Sequence, residues 1–580
     1  MQKRQPPLTA AMAAIRRQAP ALIGFSLVAN LLLLVSAIYM LQVYDRVLTS
    51  GSMDTLLWLT VAAFVVLAIY GLIEHARRLV LSRIGSWLEN QLSAVVIRRS
   101  MEARLAGVGA EAGLKDVNDL RAFVGGEGIL AFLDAPWTPV FLALIWLLHP
   151  ALGVLAIAGV VILFACSVAT DLVTRACQQR AGPALRHSQA AASRYVDGAE
   201  TINPLGMTGT VLARWQARRG DAQTEQQRLA ETTAAIANFS RAFRIALQML
   251  TLGVGAYYVL KGEMSSGGMI AASIILGRAF SPIERSIGAW RSFVAARAAH
   301  RNLERLLGSA EPAATSVRLP RPQGRLAVEG LRYLAPQTRD PIVNNVSFEL
   351  EPGQTCGIIG ASGSGKSSLC RLLVGAWKPA FGHVRLDGAE VSAWDPEDLG
   401  QYIGYLPQQV ELFPGTVAEN IARLQEVDSA PVIAAAKLAG VHEMILRLPD
   451  GYQTDVGLHG SRISLGQRQR LGLARALFGD PSFIVLDEPN SNLDSEGDQA
   501  LIGALMHLKG EGRTVLIVTH QTMPLQLADK ILALKEGSVA MYDTRDEVLK
   551  VIMGARRQLG VVAGSGAPSQ PSRGVVVQAE

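Results

Sequence analysis

Ala21 to Val43 contains no charged side chain. A run of that length crosses the hydrocarbon core of a bilayer as a helix, which satisfies its own backbone polar groups within one segment. Leu56 to Ile73 is a second such run. Four further apolar stretches follow, Phe132 to Leu148, Leu152 to Leu172, Ile245 to Leu260 and Met269 to Phe280. The last is interrupted by Arg278 and continues as an amphipathic helix past Trp290. Composition agrees with a membrane protein: 49% of residues are hydrophobic, only 18% are charged, and the mean hydropathy is +0.25.

The connections alternate in charge. Leu48 to Asp54 and the turn His149-Pro150 have no Lys or Arg, and the connection before the sixth stretch has one cation, Lys261. The segments after the second and fourth stretches are basic: Arg77 to Arg121 in one, Arg175 to Arg244 in the other. The positive-inside rule then gives six spans with both termini in the cytoplasm and two long helical extensions below the membrane. The net charge of +6 is accounted for by these loops and is no signal for nucleic acid. Residues 1–19 carry Lys3, Arg4, Arg16 and Arg17 and read as a basic amphipathic segment lying on the lipid surface. No cleavable signal peptide precedes the first span. Asp134, within Phe132-Leu133-Asp134-Ala135-Pro136-Trp137, is a carboxylate that must face protein or water. A transport-path residue and a structural kink at Pro136 both fit it.

Residues 20–308 thus form a six-helix transmembrane domain. Residues 309–323, rich in Pro, Ala and Arg, read as a linker. Residues 324–560 alternate short apolar strands with helices, and 561–580 read as a flexible Gly-, Ser-, Pro- and Val-rich tail. None of the four cysteines, Cys166, Cys177, Cys356 and Cys370, forms a C-x-x-C pair, and Cys356 and Cys370 suit a reduced cytoplasmic domain.

Within 324–560, Gly360-Ala361-Ser362-Gly363-Ser364-Gly365-Lys366-Ser367-Ser368 fits the P-loop pattern at every required position. A buried-strand run precedes it and a helical pattern follows it, which is the context the motif needs. Backbone N–H groups of such a loop close round phosphate oxygens, with the helix dipole adding positive potential. Lys366 reaches the β- and γ-phosphates of ATP, and Ser367 offers its hydroxyl to Mg²⁺. Phe483 to Glu488 is an apolar strand ending in two acids, a Walker B pattern. Asp487 would hold Mg²⁺ and Glu488 would orient or deprotonate the attacking water.

Further motifs make the resemblance specific. Ile463-Ser464-Leu465-Gly466-Gln467 followed by Arg468-Gln469-Arg470 resembles the signature of ABC ATPases, and it lies shortly before Walker B as it does in that family. Gln408 resembles the Q-loop glutamine, Ser491-Asn492-Leu493-Asp494 the D-loop, His520 the switch histidine, and Tyr333 the aromatic that stacks on adenine. The resemblance implies two ATPase domains closing head to tail, with the P-loop of one and Ser464, Gly466 and Gln467 of the other enclosing each ATP. Gln408 would sense Mg²⁺ and His520 would contact the γ-phosphate. One such domain per chain implies a homodimer with two sites. The sequence departs from the family where Leu465 replaces the first signature glycine and where Leu458 stands in place of an expected Glu in Thr454 to Gly460, which resembles the X-loop. Both departures bear on turnover and coupling more than on nucleotide binding.

The whole pattern resembles ABC exporter half-transporters: an all-α six-span transmembrane domain fused to an α/β P-loop ATPase domain, with coupling helices expected within 101–118 and 200–210. Val43-Tyr44-Asp45-Arg46-Val47, Leu133 to Trp137 and the His149-Pro150 turn resemble the type I secretion ATPases that export proteases, lipases and S-layer proteins. The first span begins near residue 21, which leaves no room for an N-terminal peptidase-like domain. The resemblance implies an inner-membrane exporter of unfolded polypeptides with C-terminal signals, a periplasmic adaptor and an outer-membrane channel as partners, and ATP and Mg²⁺ as cofactors. Two alternatives share the architecture: an exporter of lipids or small molecules, and a nucleotide-gated protein whose altered signature hydrolyses little.

Overall fold

A computed structural model describes residues 7–107, 113–308, 319–335, 339–426, 428–457 and 460–551. The chain divides into two compact units, one of Met1–Arg104 and Gly109–Ala310, the other of Leu105–Val108 and Glu311–Glu580.

The first unit is all helix: α1 (Pro7–Leu32), α2 (Val35–Gln42), α3 (Leu48–Ser50), α4 (Met53–Leu105), α5 (Leu114–Val124), α6 (Glu127–Asp134), α7 (Thr138–Leu148), α8 (Pro150–Asp197), α9 (Ala199–Ile202), α10 (Thr208–Leu260) and α11 (Ser266–Gly308). Among the described residues six helical stretches are long and apolar enough to cross a membrane: Pro7–Ser50, Met53–Leu105, Glu127–Leu148, Pro150–Thr170, Ala230–Leu260 and Ser266–Ile287. Helix α11 packs on α2, α5, α6, α7, α8 and α10 and is the axis of this unit.

Sequence sets the breaks locally. The imidazole of His149 accepts from the N–H of Ala151 at 3.2 Å, with Pro150 at the first helical position, so α8 begins with a side-chain cap. A π-helical turn over Val43–Val47 presents Asp45 to the start of α11, where its carboxylate accepts from Ser265 Oγ at 2.6 Å and Gly267 N at 2.8 Å. Pro136 lies in a 3₁₀ turn, Ala135–Trp137, that splits the third span into α6 and α7.

Asp134 sits at this break and is 3% exposed. Its carboxylate accepts from Arg77 (2.8 Å), Ser26 (2.7 Å), Asn30 (3.2 Å) and Arg285 (3.1 Å). Of the two readings left open in the sequence, the structure favours a kink fastened by ion pairs, one to the buried Arg77 and one to the partly exposed Arg285. Arg244 pairs with Glu284 at 2.8 Å.

The N-terminal basic segment is helical from Pro7. From Pro7 the segment is continuous with the first span, and Leu8 and Ala11 are buried in a cluster with Leu88, Leu92, Leu120 and Leu303. Protein packs on the segment at these two residues. Residues 1–6, 108–112 of the first expected coupling segment, 309–318 of the linker, Leu458 and the 561–580 tail lie outside the described residues.

The second unit holds β1 (Leu326–Leu334), β2 (Pro341–Leu350), β3 (Thr355–Gly360), β4 (Phe381–Leu386), β5 (Ala389–Glu390), β6 (Ile403–Leu406), β7 (Phe483–Asp487), β8 (Thr514–Val518), β9 (Lys530–Lys535) and β10 (Ser538–Thr544). Its helices are α12 (Lys366–Leu373), α13 (Pro396–Tyr402), α14 (Val417–Ile421), α15 (Ser429–Leu438), α16 (His442–Leu446), α17 (Leu465–Leu477), α18 (Ser495–Gly510) and α19 (Thr522–Gln526). Strands β2-β1-β4-β5 form an antiparallel sheet. The other sheet runs β10-β9-β3-β8-β7-β6, parallel from β9 to β6. Strands β7 and β8 are buried along their whole length, as expected of a parallel sheet covered on both faces.

Candidate active site

Parallel strands deliver their carboxyl ends to one edge, where open α/β sheets bind ligands. Here β3 ends at the P-loop, β6 ends two residues before Gln408, β7 ends at Asp487, and β8 ends two residues before His520. The order β3-β8-β7-β6 therefore sets these residues side by side although the sequence scatters them.

The loop from Gly360 through Ala361, Ser362, Gly363 and Ser364 to Gly365 turns into α12, which carries Lys366, Ser367 and Ser368 in its first turn. Gly365 has a φ of 92°, and a Cβ there would lie 2.7 Å from the carbonyl of Ile342, so only glycine closes this turn. The Lys366 ammonium donates to the Gly360 and Ala361 carbonyls at 2.8 and 2.9 Å. Cys356 and Cys370 are fully buried, and burial pushes the Cys356 thiol up to about 12, so both are packing residues.

Asp487 is buried, with Ser367 hydrogen-bonded to it. Burial raises its pKa; Ser367, Arg371 and Lys366 pull the other way. Among the described residues its Oδ1 has no hydrogen-bond partner, a position that suits a cation. Glu488 follows at a φ of 50°, a conformation rare outside glycine and concentrated at functional sites. That backbone is fixed from both sides. Its N–H donates to Val518 O at 3.0 Å, and the buried amide of Gln469 donates to the carbonyls of Glu488 and Pro489 at 3.4 and 3.2 Å. The Glu488 carboxylate accepts from Gln408 Nε2 at 2.9 Å and lies 3.9 Å from His520 Nε2.

The expected residues fall into three groups. Lys366, Ser367, Gln408, Asp487, Glu488 and His520 share the sheet edge. Tyr333 lies opposite Val343 in the β1–β2 ladder, one residue from the Ile342 carbonyl that abuts the P-loop. Ser464, Gly466 and Gln467 begin α17 in a reciprocal cap, Ser464 N–H to Gln467 Oε1 at 3.0 Å and Gln467 N–H to Ser464 Oγ at 3.3 Å. Among the described residues no hydrogen bond joins these three to the P-loop. Leu465 is 59% exposed, whereas a Cβ on Gly466 would lie 2.9 Å from the Asn492 carbonyl. The sequence places Gln469 in the Arg468-Gln469-Arg470 run after the signature and gives no sign of this backbone contact.

A P-loop, a two-acid strand end and a signature helix on this sheet, in a chain with six apolar helices, define an ABC transporter with its transmembrane region fused to its ATPase. The family comparisons agree: residues 20–282 match the ABC transporter transmembrane region and residues 343–491 match the ABC transporter family. The type I secretion system ATP-binding protein PrsD of Rhizobium meliloti (strain 1021) is 40% identical over 93% of this chain and 94% of its own. The leukotoxin export ATP-binding protein LtxB of Aggregatibacter actinomycetemcomitans is 28% identical over 89% of this chain and 74% of its own. A solved bacterial Atm1-family ABC exporter with ATP bound superposes with a TM-score of 0.77 at 20% identity, covering 96% of this chain and 100% of that one, and shares the fold. The chain belongs to the type I secretion system ATP-binding proteins, multi-pass membrane transporters driven by ATP.

Proposed function

We propose that this chain exports unfolded polypeptides with C-terminal secretion signals across the bacterial inner membrane, as a homodimer with two ATP sites. The observation that carries the proposal is the Gln408–Glu488–His520 group beside the P-loop, in a chain of this family. The relatives named for leukotoxin export and for RTX-I toxin translocation support a polypeptide cargo. A periplasmic adaptor and an outer-membrane channel complete the conduit, membrane lipid surrounds the 20–308 domain, and nucleic acid has no part.

Residues 324–560 form the ATPase domain. The backbone N–H groups of Gly360 to Ser368 hold the phosphates, and Lys366 neutralises the β- and γ-phosphates. Tyr333 stacks on adenine. Glu488, oriented by Gln408, positions or deprotonates the water, and His520 contacts the γ-phosphate. Ser464, Gly466 and Gln467 of a second copy cover the nucleotide. Ser367, Gln408 and Asp487 would hold Mg²⁺. The unpartnered, buried Asp487 Oδ1 fits that ion, which typically takes one or two carboxylates plus phosphates. Bound there, it supplies positive charge against the phosphate oxygens.

The test is ATPase activity of the full-length protein in lipid, with and without C-terminal segments of candidate cargo proteins. A response specific to one segment is expected, and Glu488→Gln should retain ATP while turnover falls at least about a hundredfold and export stops. Indifference to every polypeptide, with a response to lipids or small molecules, would remove the cargo assignment. Steady export by the Glu488→Gln chain would remove the catalytic one.

A further inference from the structure

Two groups lie against the indole of Trp377. The Tyr333 ring is stacked on it, with centroids 4.7 Å apart and planes 17° from parallel. The Arg371 guanidinium lies over the same indole, 4.8 Å from its centroid. Both contacts favour a fixed ring plane, the first through offset stacking and the second through the ring quadrupole.

The chain positions this stack from both sides. Trp377 follows α12, the helix that the P-loop opens, and its N–H donates to the Arg371 carbonyl at 3.2 Å. Three residues on, the Ala380 N–H donates to the Arg332 carbonyl at 2.8 Å, which ties the segment to β1 next to Tyr333. Arg371 itself projects from α12 and acts on the Asp487 carboxylate. One helix thus carries the phosphate loop at its start and the support of the aromatic platform at its end.

A lone tyrosine on a partly exposed strand turns freely about its side-chain bonds, and holding it flat against a base costs side-chain entropy. We propose that Trp377 is a positioning residue for the nucleotide base: its indole, steadied by Arg371, backs the Tyr333 ring so that the opposite face is ready for a purine. The inference rests on the proposed stacking of Tyr333 on adenine and assigns the residues that make that stacking efficient. It concerns binding of the base and leaves the hydrolytic group at the sheet edge untouched.

The experiment measures KM and kcat for ATP separately, on the full-length protein in lipid. Tripolyphosphate, which has no base, serves as a competitive inhibitor. Trp377→Ala is expected to raise KM roughly three- to tenfold, with kcat within about twofold and tripolyphosphate inhibition unchanged. Trp377→Phe should restore most of the affinity. Tyr333→Ala should raise KM by a similar factor, and combining it with Trp377→Ala should add little, because the indole acts through the phenol. A lowered KM for Trp377→Ala overturns the proposal, since the indole then competes with the base. An unchanged KM for Trp377→Ala beside a raised KM for Tyr333→Ala also overturns it and leaves the Tyr333 stacking intact. An unchanged KM for Tyr333→Ala removes the stacking reading itself, and the inference with it. Weakened tripolyphosphate inhibition in both Trp377 variants would show that the indole supports the P-loop fold instead.

Discussion

Asp134 shows what one residue contributes to this molecule. A carboxylate in an apolar segment is costly unless its charge is met. Here Arg77, itself 2% exposed, meets it directly, and Arg285, Ser26 and Asn30 fill the remaining acceptor positions. Those partners come from the first, second and sixth spans, so one anion fastens four of the six. Removing the carboxylate leaves the buried Arg77 with Glu74, 3.2 Å from its Nε, as counterion and takes a buried acceptor from Ser26 and Asn30. Asp134→Ala should therefore lower stability by about 3–5 kcal/mol, whereas Asp134→Leu combined with Arg77→Met should recover part of that loss. Thermal unfolding in detergent checks this; a double variant no better than Asp134→Ala would show that the ion pair is not the main tie. The sequence marked Asp134 as anomalous because charge within an apolar run is a local signal. It did not mark Ser26 or Arg77, since a serine in a span and an arginine in a basic segment are unremarkable until packing brings them together.

At the scale of elements, the signature helix α17 separates two positions that the motif treats alike. Leu465, at the first helical position, projects outward and disturbs neither cap bond between Ser464 and Gln467. Gly466 has the Asn492 carbonyl of the segment after Walker B where a Cβ would be. Gly466→Ala should thus push that segment away and cut ATPase activity by about tenfold or more, while Leu465→Ala stays within about threefold. Steady-state turnover of the two variants decides it; equal losses would mean that the Asn492 contact does not limit the site. This contrast was not legible beforehand, because glycine in a motif does not say whether it serves a turn, a close approach or nothing. The strand-end residues were legible, since P-loop, Walker B and switch histidine each follow an apolar strand, and a parallel sheet brings such ends together. Gln469 was not, because its partner is a backbone carbonyl that no side-chain pattern reports. The basic segment 1–19 illustrates a related limit of pattern, since from Pro7 it packs on protein at Leu8 and Ala11. Amphipathicity says that one face is covered, and it does not distinguish lipid from the helices that cover Leu8 and Ala11.

For the whole molecule, the arithmetic of motifs matters most. Each chain has one P-loop and one signature, and no hydrogen bond connects them among the described residues. The signature cap faces outward, with Ser464 and Leu465 exposed. In the proposed homodimer a complete site takes the P-loop from one chain and the signature from the other. Two defective chains provide the test, each also carrying Glu488→Gln so that bound ATP is retained. One has Lys366→Ala, which spoils only its own P-loop, and the other has Ser464→Arg, which spoils only its own signature. Neither parent should retain ATP. A mixed dimer, isolated through two different tags, combines the intact P-loop of the second chain with the intact signature of the first, and should retain about one ATP per dimer. Retention by the Ser464→Arg parent alone would place the site within a single chain. Mixed dimers as empty as both parents would show that Ser464 and Lys366 do not meet across an interface. In either case the head-to-tail arrangement would have to be abandoned, because it requires complementation between these two lesions.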